Sequence, residues 1–388
     1  MDFALSAEQQ AICDAVGKLC ARFGDDYWLA KDCDGGFPDE FHRAFADDGW
    51  LGIAMPQAFG GAGLGVTEAA LVMQVVAESG AGLSGASALH MNIFGLNPVV
   101  VFGSDEQKKR MLPPLIAGKD KSCFAVTEPN VGLDTLKLKT KAVRDGDRYL
   151  LSGQKIWIST AQVATKMLIL ARTTPLEALS RRTEGLSLFY TDLDRRHVDV
   201  REIPKMGRSA VDSNEMFIDG LPVPVADRIG EEGRGFEYIL HGMNPERILI
   251  AAEAVGIGRA AIRKAAAYAK ERIVFDRPIG QNQAIQHPLA DCWMQLEAAN
   301  LMAFKAASLY DAGAPCGIEA NAAKYLAGEA AFKACETALM THGGMGYAKE
   351  FHVERYLREV LIARIAPITP HLILSFIAEK ALGLPKSY

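Results

Sequence analysis

The hydrophobic periodicity of the chain changes twice along its length, and this restricts the fold more than any single motif does. Up to about residue 120, apolar positions recur at helical spacing, as in 68–77 and 97–102. From about 121 to 228, short runs alternate with period two, and beyond residue 235 long helical patterns return. We therefore expect an α+β fold with an N-terminal helical domain (1–120), a middle β domain (121–230) and a C-terminal helical bundle (231–388).

Local signals predict several individual elements and their limits. Ser6 and Gln9 have the spacing of a capping box at the start of the first helix. Asp145-Gly146 and Asp219-Gly220 are typical of turns between strands. The predicted strands are 149–158, 166–171, 187–193, 198–203 and 215–218, and the predicted long helices are 247–273, 289–311 and 318–341.

Composition excludes several classes of protein. The net charge of −5 and the pI near 6 argue against a nucleic-acid binder, which would carry a basic stripe. No run of 18 apolar residues is free of charge, so we expect no membrane span. Seven scattered cysteines without a Cys-x-x-Cys pair predict reduced thiols. The start has no signal or transit pattern, so we expect a cytoplasmic protein, or alternatively a mature form that has already been trimmed. No cluster has metal-ligand spacing, so no metal is expected.

Two segments of the predicted β domain carry the most chemical information. The segment 123–134 is an apolar strand that enters a Thr-Glu-Pro-Asn turn, with Gly132 able to bring backbone close to a ligand. In the segment 154–159, Trp157 and Ser159 are two residues apart and therefore lie on one face of a strand. An aromatic surface with hydroxyls and backbone donors suits a planar, hydrogen-bonding cofactor. The alternative is that Trp157 is an ordinary core residue.

The glycine-rich stretch Gly60-Gly-Ala-Gly-Leu-Gly65 could be taken for a dinucleotide-binding loop. It follows helices and Met55-Pro56 instead of a strand, so it fails the structural context that such a loop requires. We expect a tight loop between helices.

Six motifs in this order resemble those of the acyl-CoA dehydrogenase family of flavoproteins. They are Gly60–Gly65, the Thr127-Glu-Pro turn, Trp157-Ile-Ser159, Glu271-Arg-Ile-Val-Phe275, Pro278-Ile279 and Gly343-Gly-Met-Gly346. The resemblance implies a small β barrel between two four-helix domains. It also implies a homotetramer, a dimer of dimers, in which C-terminal helices build the dimer contact and part of a neighbouring flavin site.

The resemblance implies an FAD site with residues from several segments. Phe124, Val126 and Thr127 would meet the flavin pyrimidine edge, Trp157 would flank the ring and Ser159 would sit near N5. Arg272, Phe275 and Gln283 resemble residues that hold the adenosine diphosphate half of a neighbouring subunit's FAD, since an Arg fork pairs with phosphate. The alternative for Arg272 is a surface salt bridge with Glu271 or Asp276. Further cofactor positions are Leu133, which replaces the family's serine, and Gly343, Gly344, Thr369 and His371.

The position of the catalytic base departs from the common family pattern. Most members carry this base in a Tyr-Glu-Gly-Thr segment, and the matching stretch 365–369 has Pro367 at the Glu position. Proline can neither accept a proton nor donate a backbone N–H to the thioester carbonyl. In the isovaleryl-CoA and long-chain acyl-CoA dehydrogenase subfamilies the base precedes an Arg on another helix, which corresponds here to Glu246 before Arg247.

A structural explanation of Glu246 competes with the catalytic one. Pro245 suits the first turn of a helix, where an acid is also favourable, so Glu246 could be a helix-start residue paired with Arg247. We favour the catalytic role because the usual base is replaced. Asn244, Arg247 and Ala366 are then the predicted substrate-binding residues. Among the histidines, we expect His90 and His342 to be packed or hydrogen-bonded, and His371 to lie near the FAD.

The implied reaction is FAD-dependent α,β-dehydrogenation of an acyl-CoA thioester to the trans-2-enoyl-CoA, with electrons passing to an electron-transfer flavoprotein. Ala366 replaces a bulky aromatic of many relatives, which favours a branched, cyclic or aryl acyl group. Two alternatives remain: another flavin reaction on a thioester, such as decarboxylation or desulfination, and a flavin-binding subunit with little turnover.

Overall fold

The computed structural model describes residues 3–387, and its first part is helical. The capping box at Ser6 is confirmed, because Ser6 Oγ accepts from Gln9 N at 3.1 Å and the Gln9 side chain accepts from Ser6 N. The helices of this part are α1 Ala7–Cys20, α2 Asp25–Asp34, α3 Asp39–Asp47, α4 Val66–Val76, α5 Gly82–Ile93, α6 Asn97–Phe102 and α7 Asp105–Ile116.

The glycine-rich stretch 60–65 is a tight loop, as predicted. It connects a short 3₁₀ turn, Gln57–Phe59, to the start of α4. A Cβ atom on Gly61 would lie 2.1 Å from Met55 O, so this position accepts only glycine. The loop has no strand before it and is not a dinucleotide-binding turn.

The middle of the chain forms one eight-stranded sheet with the order β6-β7-β3-β2-β4-β5-β8, and β1 pairs in parallel with β4. The inward side chains of these strands form their own apolar core. The strands are β1 Ser122–Ala125, β2 Lys141–Asp145, β3 Arg148–Ser159, β4 Lys166–Arg172, β5 Leu186–Asp192, β6 Val198–Glu202, β7 Ser213–Pro224 and β8 Arg228–Ile229.

Of the two predicted turns in this domain, one is confirmed and one is wrong. Asp145-Gly146 lies in the β2–β3 hairpin, where Asp145 pairs with Arg148. Asp219-Gly220 lies inside β7, at a register shift opposite Ser152. Gly220 has φ +60° and donates its N–H to Ser152 Oγ at 3.0 Å. The residue pair that is typical of a turn therefore forms a β-bulge, which also tolerates a left-handed glycine.

The last part of the chain is a bundle built around one long helix. α8 packs against α9 and α10, and also against α4 and α5 of the N-terminal part, so both helical regions share a single core. A Cβ atom on Gly256 of α8 would lie 2.4 Å from Gln74 O, which shows how closely α8 and α4 approach. The elements are α8 Gly235–Glu271, β9 Ile273–Val274, β10 Arg277–Pro278, α9 Gln283–Asp311, α10 Gly317–His342, α11 Val353–Ile365 and α12 Pro370–Lys380.

The predicted start of α8 is wrong. The helix begins at Gly235, so Pro245 lies in its interior instead of its first turn. Proline in a helix interior removes one backbone hydrogen bond, and it is tolerated here in a helix whose apolar face is deeply buried. Glu246 is consequently not a helix-start acid.

Among the described residues, Val66–Phe102 has the length and composition to cross a membrane, and α11 with α12 forms at most a second such stretch. In the first stretch, 67% of the most apolar window is buried inside the protein, as in the core helix of a globular domain.

Candidate active site

A buried lysine joins the two informative segments of the β domain. Lys155 Nζ donates to Val126 O at 3.0 Å and to Leu170 O at 2.8 Å, and it lies 3.2 Å from Glu128 Oε1. Burial lowers the pKa of Lys155 to about 8, against the opposing effect of Glu128. Next to this lysine, Ile156 N donates to Thr127 O at 3.0 Å. The Thr-Glu-Pro turn is thereby fixed beside β3.

Trp157 lies on the surface of the sheet and not in its core. Its side chain is 58% exposed, which excludes the core alternative. The residue has φ +62° at a bulge, because Lys155 pairs with Met216 whereas Ile158 pairs with Asn214. Ile158 is buried between Trp157 and the half-buried Ser159. Trp157 and Ser159 therefore both lie on the side away from the core.

These residues fit the ring of a flavin. Trp157 has a left-handed backbone and an exposed aromatic ring. Thr127 and Ser159 are half-buried and each carries a hydroxyl; Ser159 is two residues from Trp157, and Thr127 pairs with the neighbouring Ile156. These groups suit a planar ligand with hydrogen-bonding edges. Phe124 is half-buried in β1, Val126 is almost fully buried, and Leu133 is exposed. Leu133 offers no polar side-chain atom to a ligand.

A second group of predicted cofactor residues lies together at one end of the C-terminal helices. Arg272 follows α8, Phe275 stands in the β9–β10 turn, and Gln283 begins α9. Gly343 and Gly344 follow α10, whose last residue stacks on α8 through the rings of His342 and Tyr268, 4.3 Å apart. His342 is thus packed, as expected, and its Nδ1 is hydrogen-bonded to Ala338 O.

The exposed side chains of this group suit contact with another molecule. Phe275 is 92% exposed and has φ +52°. Within residues 3–387 the side chain of Arg272 has no hydrogen bond or ion pair, so the alternative salt bridge to Glu271 or Asp276 is not formed. No contact of this single chain joins Arg272 to Trp157 among the described residues. Their convergence on one FAD remains a prediction that needs a second subunit.

A lysine of α10 is hydrogen-bonded to the backbone at the end of α11 and in the segment that follows it. Lys324 Nζ donates to Arg364 O at 3.0 Å and to Ile368 O at 2.7 Å, and burial lowers the pKa of Lys324 to about 8. Ala366 is half-buried, and Thr369 caps α12 by accepting from Leu372 N at 3.4 Å. His371, in the first turn of α12, is exposed.

Glu246 takes part in a hydrogen-bonded chain of three ionisable side chains. Glu246 Oε2 lies 2.6 Å from His90 Nε2, and His90 Nδ1 lies 2.6 Å from Glu253 Oε1. Burial alone would lower the pKa of His90, but the two carboxylates outweigh it and raise that pKa well above its usual value. His90 is hydrogen-bonded, as expected, but its contacts with Glu246 and Glu253 were missed from sequence. The available signal was two acids seven residues apart on one helix face.

Arg247 turns away from Glu246 and does not form the predicted helix-start pair with it. Its Nη1 donates to Asn244 Oδ1 at 3.1 Å, and its Nε is buried without a partner among the described residues. An unsatisfied buried donor of this kind has capacity for a bound group. This arrangement fits the prediction that Asn244 and Arg247 contact substrate.

An apolar cavity of about 30 Å³ lies between α4, α5, α6 and α8, and α8 contributes Pro245 and Leu249 to its lining but not Glu246. The Glu246 side chain is 17% exposed, so it is accessible without being solvated like a surface acid. The cavity is lined by Ala54, Met55, Val66, Ala69, Ile93, Phe94, Asn97, Val100, Pro245 and Leu249.

Three family models match the chain in consecutive blocks. The acyl-CoA dehydrogenase N-terminal domain matches residues 6–119, the middle domain matches 123–221 and the C-terminal domain matches 233–381.

Several curated proteins are similar over most of their length. Acyl-CoA dehydrogenase FadE12 of Mycobacterium tuberculosis is 36% identical, covering 100% of this chain and 99% of that protein. Benzylmalonyl-CoA dehydrogenase of Aromatoleum aromaticum is 35% identical, covering 98% and 99%. Subunit CarC of the caffeyl-CoA reductase-Etf complex of Acetobacterium woodii is 34% identical, covering 85% and 86%.

Solved structures agree with these matches. Butyryl-CoA dehydrogenase of Megasphaera elsdenii superposes with a TM-score of 0.93 at 29% identity, covering 99% of this chain and 100% of that one. The FAD complex of PigA superposes with a TM-score of 0.93 at 27% identity, with the same coverage. The chain therefore belongs to the acyl-CoA dehydrogenase family of FAD-dependent oxidoreductases.

Proposed function

We propose that this enzyme removes the α-proton of an acyl-CoA thioester with Glu246 and forms the trans-2-enoyl-CoA. The observation that carries the proposal is the state of the Glu246 carboxylate. One oxygen is held by His90, the other has no hydrogen bond among the described residues, and the side chain is 17% exposed. Pro367 occupies the usual base position and has no group that can accept a proton.

The cofactor and the chain divide the chemistry between them. FAD, when bound, takes the β-hydride, so the protein must supply binding, alignment and one base. Trp157, Thr127 and Ser159 would orient the ring from the sheet side. Arg272 and Phe275, with Gln283 and the Gly343-Gly344 loop, would hold the phosphate and adenosine part presented by a second subunit. Their exposure in the single chain supports this assignment.

The acyl group that we propose is branched, cyclic or aryl. Ala366 removes the bulk that many relatives place beside the base, and two relatives are named for benzylmalonyl-CoA and caffeyl-CoA.

We further propose an electron-transfer flavoprotein as acceptor, a homotetrameric assembly and a cytoplasmic location. The name of the Acetobacterium relative includes an Etf complex, which supports the first. The exposed side chains of Arg272 and Phe275 support a site shared between subunits. The seven cysteines are free thiols, which suits a reducing compartment.

The test is an anaerobic screen in which purified holoenzyme is mixed with straight, branched and aryl acyl-CoAs. We expect bleaching of the oxidised flavin absorbance by at least one branched or aryl thioester, with the enoyl-CoA as product. Bleaching with a decarboxylated or desulfinated product would favour the alternative flavin reaction. A flavin that no thioester bleaches would contradict the proposed function and favour a flavin-binding subunit.

A further inference from the structure

The side chains of His90, Glu246 and Glu253 form a continuous hydrogen-bonded chain from the buried Glu253 to the partly exposed Glu246, here called the carboxylate–histidine triad. Glu246 and Glu253 are two turns apart on α8, and the imidazole of α5 bridges them. Glu253 is 2% exposed and His90 is buried, whereas Glu246 is the accessible end. Two helices of different domains thus meet through this unit.

The number of protons in the triad follows from its geometry. Each nitrogen–oxygen distance is 2.6 Å, and a hydrogen bond of that length requires one proton between the two atoms. The two hydrogen bonds therefore need two protons. A neutral imidazole between two ionised carboxylates has only one, so in one of the contacts a nitrogen lone pair would face an oxygen lone pair and repel it. Wherever the protons sit within the bonds, the triad carries a charge of −1.

One arginine lies near each end of the negatively charged triad. Arg208 is half-buried near Glu253, and its Nη1 donates to Ser87 Oγ at 2.8 Å, one turn before His90 on α5. Arg247 is the neighbour of Glu246 at the other end. The remaining charged groups on the packed elements are Lys205 and Asp212 near Arg208, and Glu359 on α11, whose carboxylate is already bound by Ser84, Leu83 N and Arg355.

The hydrogen bonds also direct the carboxylate of Glu246. His90 occupies Oε2, so Oε1 is the oxygen that remains for a new proton. On α-proton removal, the C–H bond breaks, the proton forms an O–H bond at Oε1, and the charge of the triad changes from −1 to zero. Loss of the α-proton leaves one negative charge on the substrate, and the substrate loses this charge when it gives up the β-hydride in the family reaction.

We propose that His90 and Glu253 are positioning residues of the dehydrogenation, and that the triad as a whole, not Glu246 alone, is the unit that accepts the substrate proton. The proposal rests on the proposed function of Glu246. In this proposal His90 and Glu253 act through Glu246 and make no contact with the substrate themselves. Strongly coupled groups of this kind titrate as a unit, so the pH–rate profile belongs to all three.

The test compares His90→Gln and Glu253→Gln holoenzyme with wild type and with His241→Gln, an exposed histidine on α8. Flavin reduction by a bleaching acyl-CoA is followed by anaerobic stopped flow from pH 5.5 to 9. We expect each triad variant to lose up to about 10²-fold in the reduction rate, because the base is less well oriented. In His90→Gln the acid limb of the pH–rate profile should move to higher pH, because the base loses its cationic neighbour.

A second readout does not depend on turnover. In protein labelled with ¹⁵N-histidine, both ring nitrogens of His90 should be protonated at pH 8, and this signal should disappear in Glu253→Gln. His241 provides the internal reference, because it is exposed and has no carboxylate partner among the described residues.

The outcomes separate the two proposals. An unchanged acid limb in His90→Gln, or a neutral His90 at pH 8 in wild type, would overturn the triad proposal while the dehydrogenase activity stands. Absence of bleaching in wild type would overturn the proposed function, and the ¹⁵N signal would still report whether the triad holds its protons. If His90→Gln does not fold, the flavin reduction rate of Glu253→Gln and the ¹⁵N-histidine spectrum of wild type test the triad proposal.

Discussion

Lys155 Nζ lies 3.2 Å from Glu128 Oε1 in the interior of the sheet domain, where both side chains are almost completely buried. The same ammonium donates to the carbonyl groups of Val126 and Leu170. The pair therefore fixes the turn that carries Thr127 against the strand that carries Trp157. The arrangement of the surface that we propose to face the flavin therefore depends on a buried charge pair.

Lys155→Met should destabilise the protein by about 3–5 kcal/mol, because the buried Glu128 carboxylate loses its cation. Adding Glu128→Gln should recover much of this loss. Urea unfolding of the two variants and wild type measures the effect. Lys166→Met on β4, which removes a pair with the exposed Asp192, is the control and should cost about 1 kcal/mol or less. Equal effects at the two lysines would contradict the assignment.

Trp157 has φ +62°, a conformation that costs a non-glycine residue about 1–2 kcal/mol. Trp157→Gly should therefore be more stable than Trp157→Ala in the FAD-free protein, although both lose the indole. At Val143, which is exposed on β2 with no left-handed backbone, glycine should be the less stable of the two. Thermal unfolding of the four variants checks the order. The same order at both positions would argue against strain at Trp157.

Arg272→Ala should lower the FAD content without affecting the apo protein. The side chain is exposed and has no partner within residues 3–387, so removing it should change the free energy of unfolding by no more than about 0.5 kcal/mol. The measurement is the ratio of flavin to protein after dialysis, with Arg196→Ala, an exposed arginine of the β domain, as control. A full FAD content in Arg272→Ala would contradict its role at the cofactor.

The raised pKa of His90 predicts how stability depends on pH. The folded protein binds the imidazole proton more tightly than the unfolded chain, whose histidine pKa is about 6.5. The stabilisation is complete below about pH 6.5 and is lost as pH rises through the folded pKa. The difference in urea midpoint between wild type and His90→Gln should therefore shrink from pH 6 to pH 9. A constant difference would show that His90 contributes only through packing.

The local pattern of the sequence predicted the type of the regular elements, whereas some limits were wrong: β7 spans 213–224 instead of 215–218, and α9 begins at Gln283 instead of 289. The structure has α6 at the predicted residues, and β4 and β6 differ from the prediction by one residue at one end. Alternation and helical spacing are local properties of amphipathic elements, so they can be seen without knowledge of the packing. The same holds for the capping box at Ser6.

The errors have tertiary causes. Pro245 favours a helix start locally, but packing of α8 against both helical domains carries the helix through it from Gly235. Asp219-Gly220 is typical of a turn, yet pairing with β3 continues on both sides and makes it a bulge. His90 is separated from Glu246 by 156 residues, and no local pattern predicts a hydrogen bond between side chains of different domains.

The central claim is that Glu246 is the base. The most direct measurement is the anaerobic rate of flavin reduction in Glu246→Gln, which keeps the shape of the side chain and removes its proton affinity. Glu237→Gln, an exposed acid on the same helix, serves as control. With an acyl-CoA that bleaches wild type, the rate should fall by about 10²- to 10⁴-fold while the FAD content is unchanged. Bleaching at the wild-type rate would show that Glu246 does not take the proton.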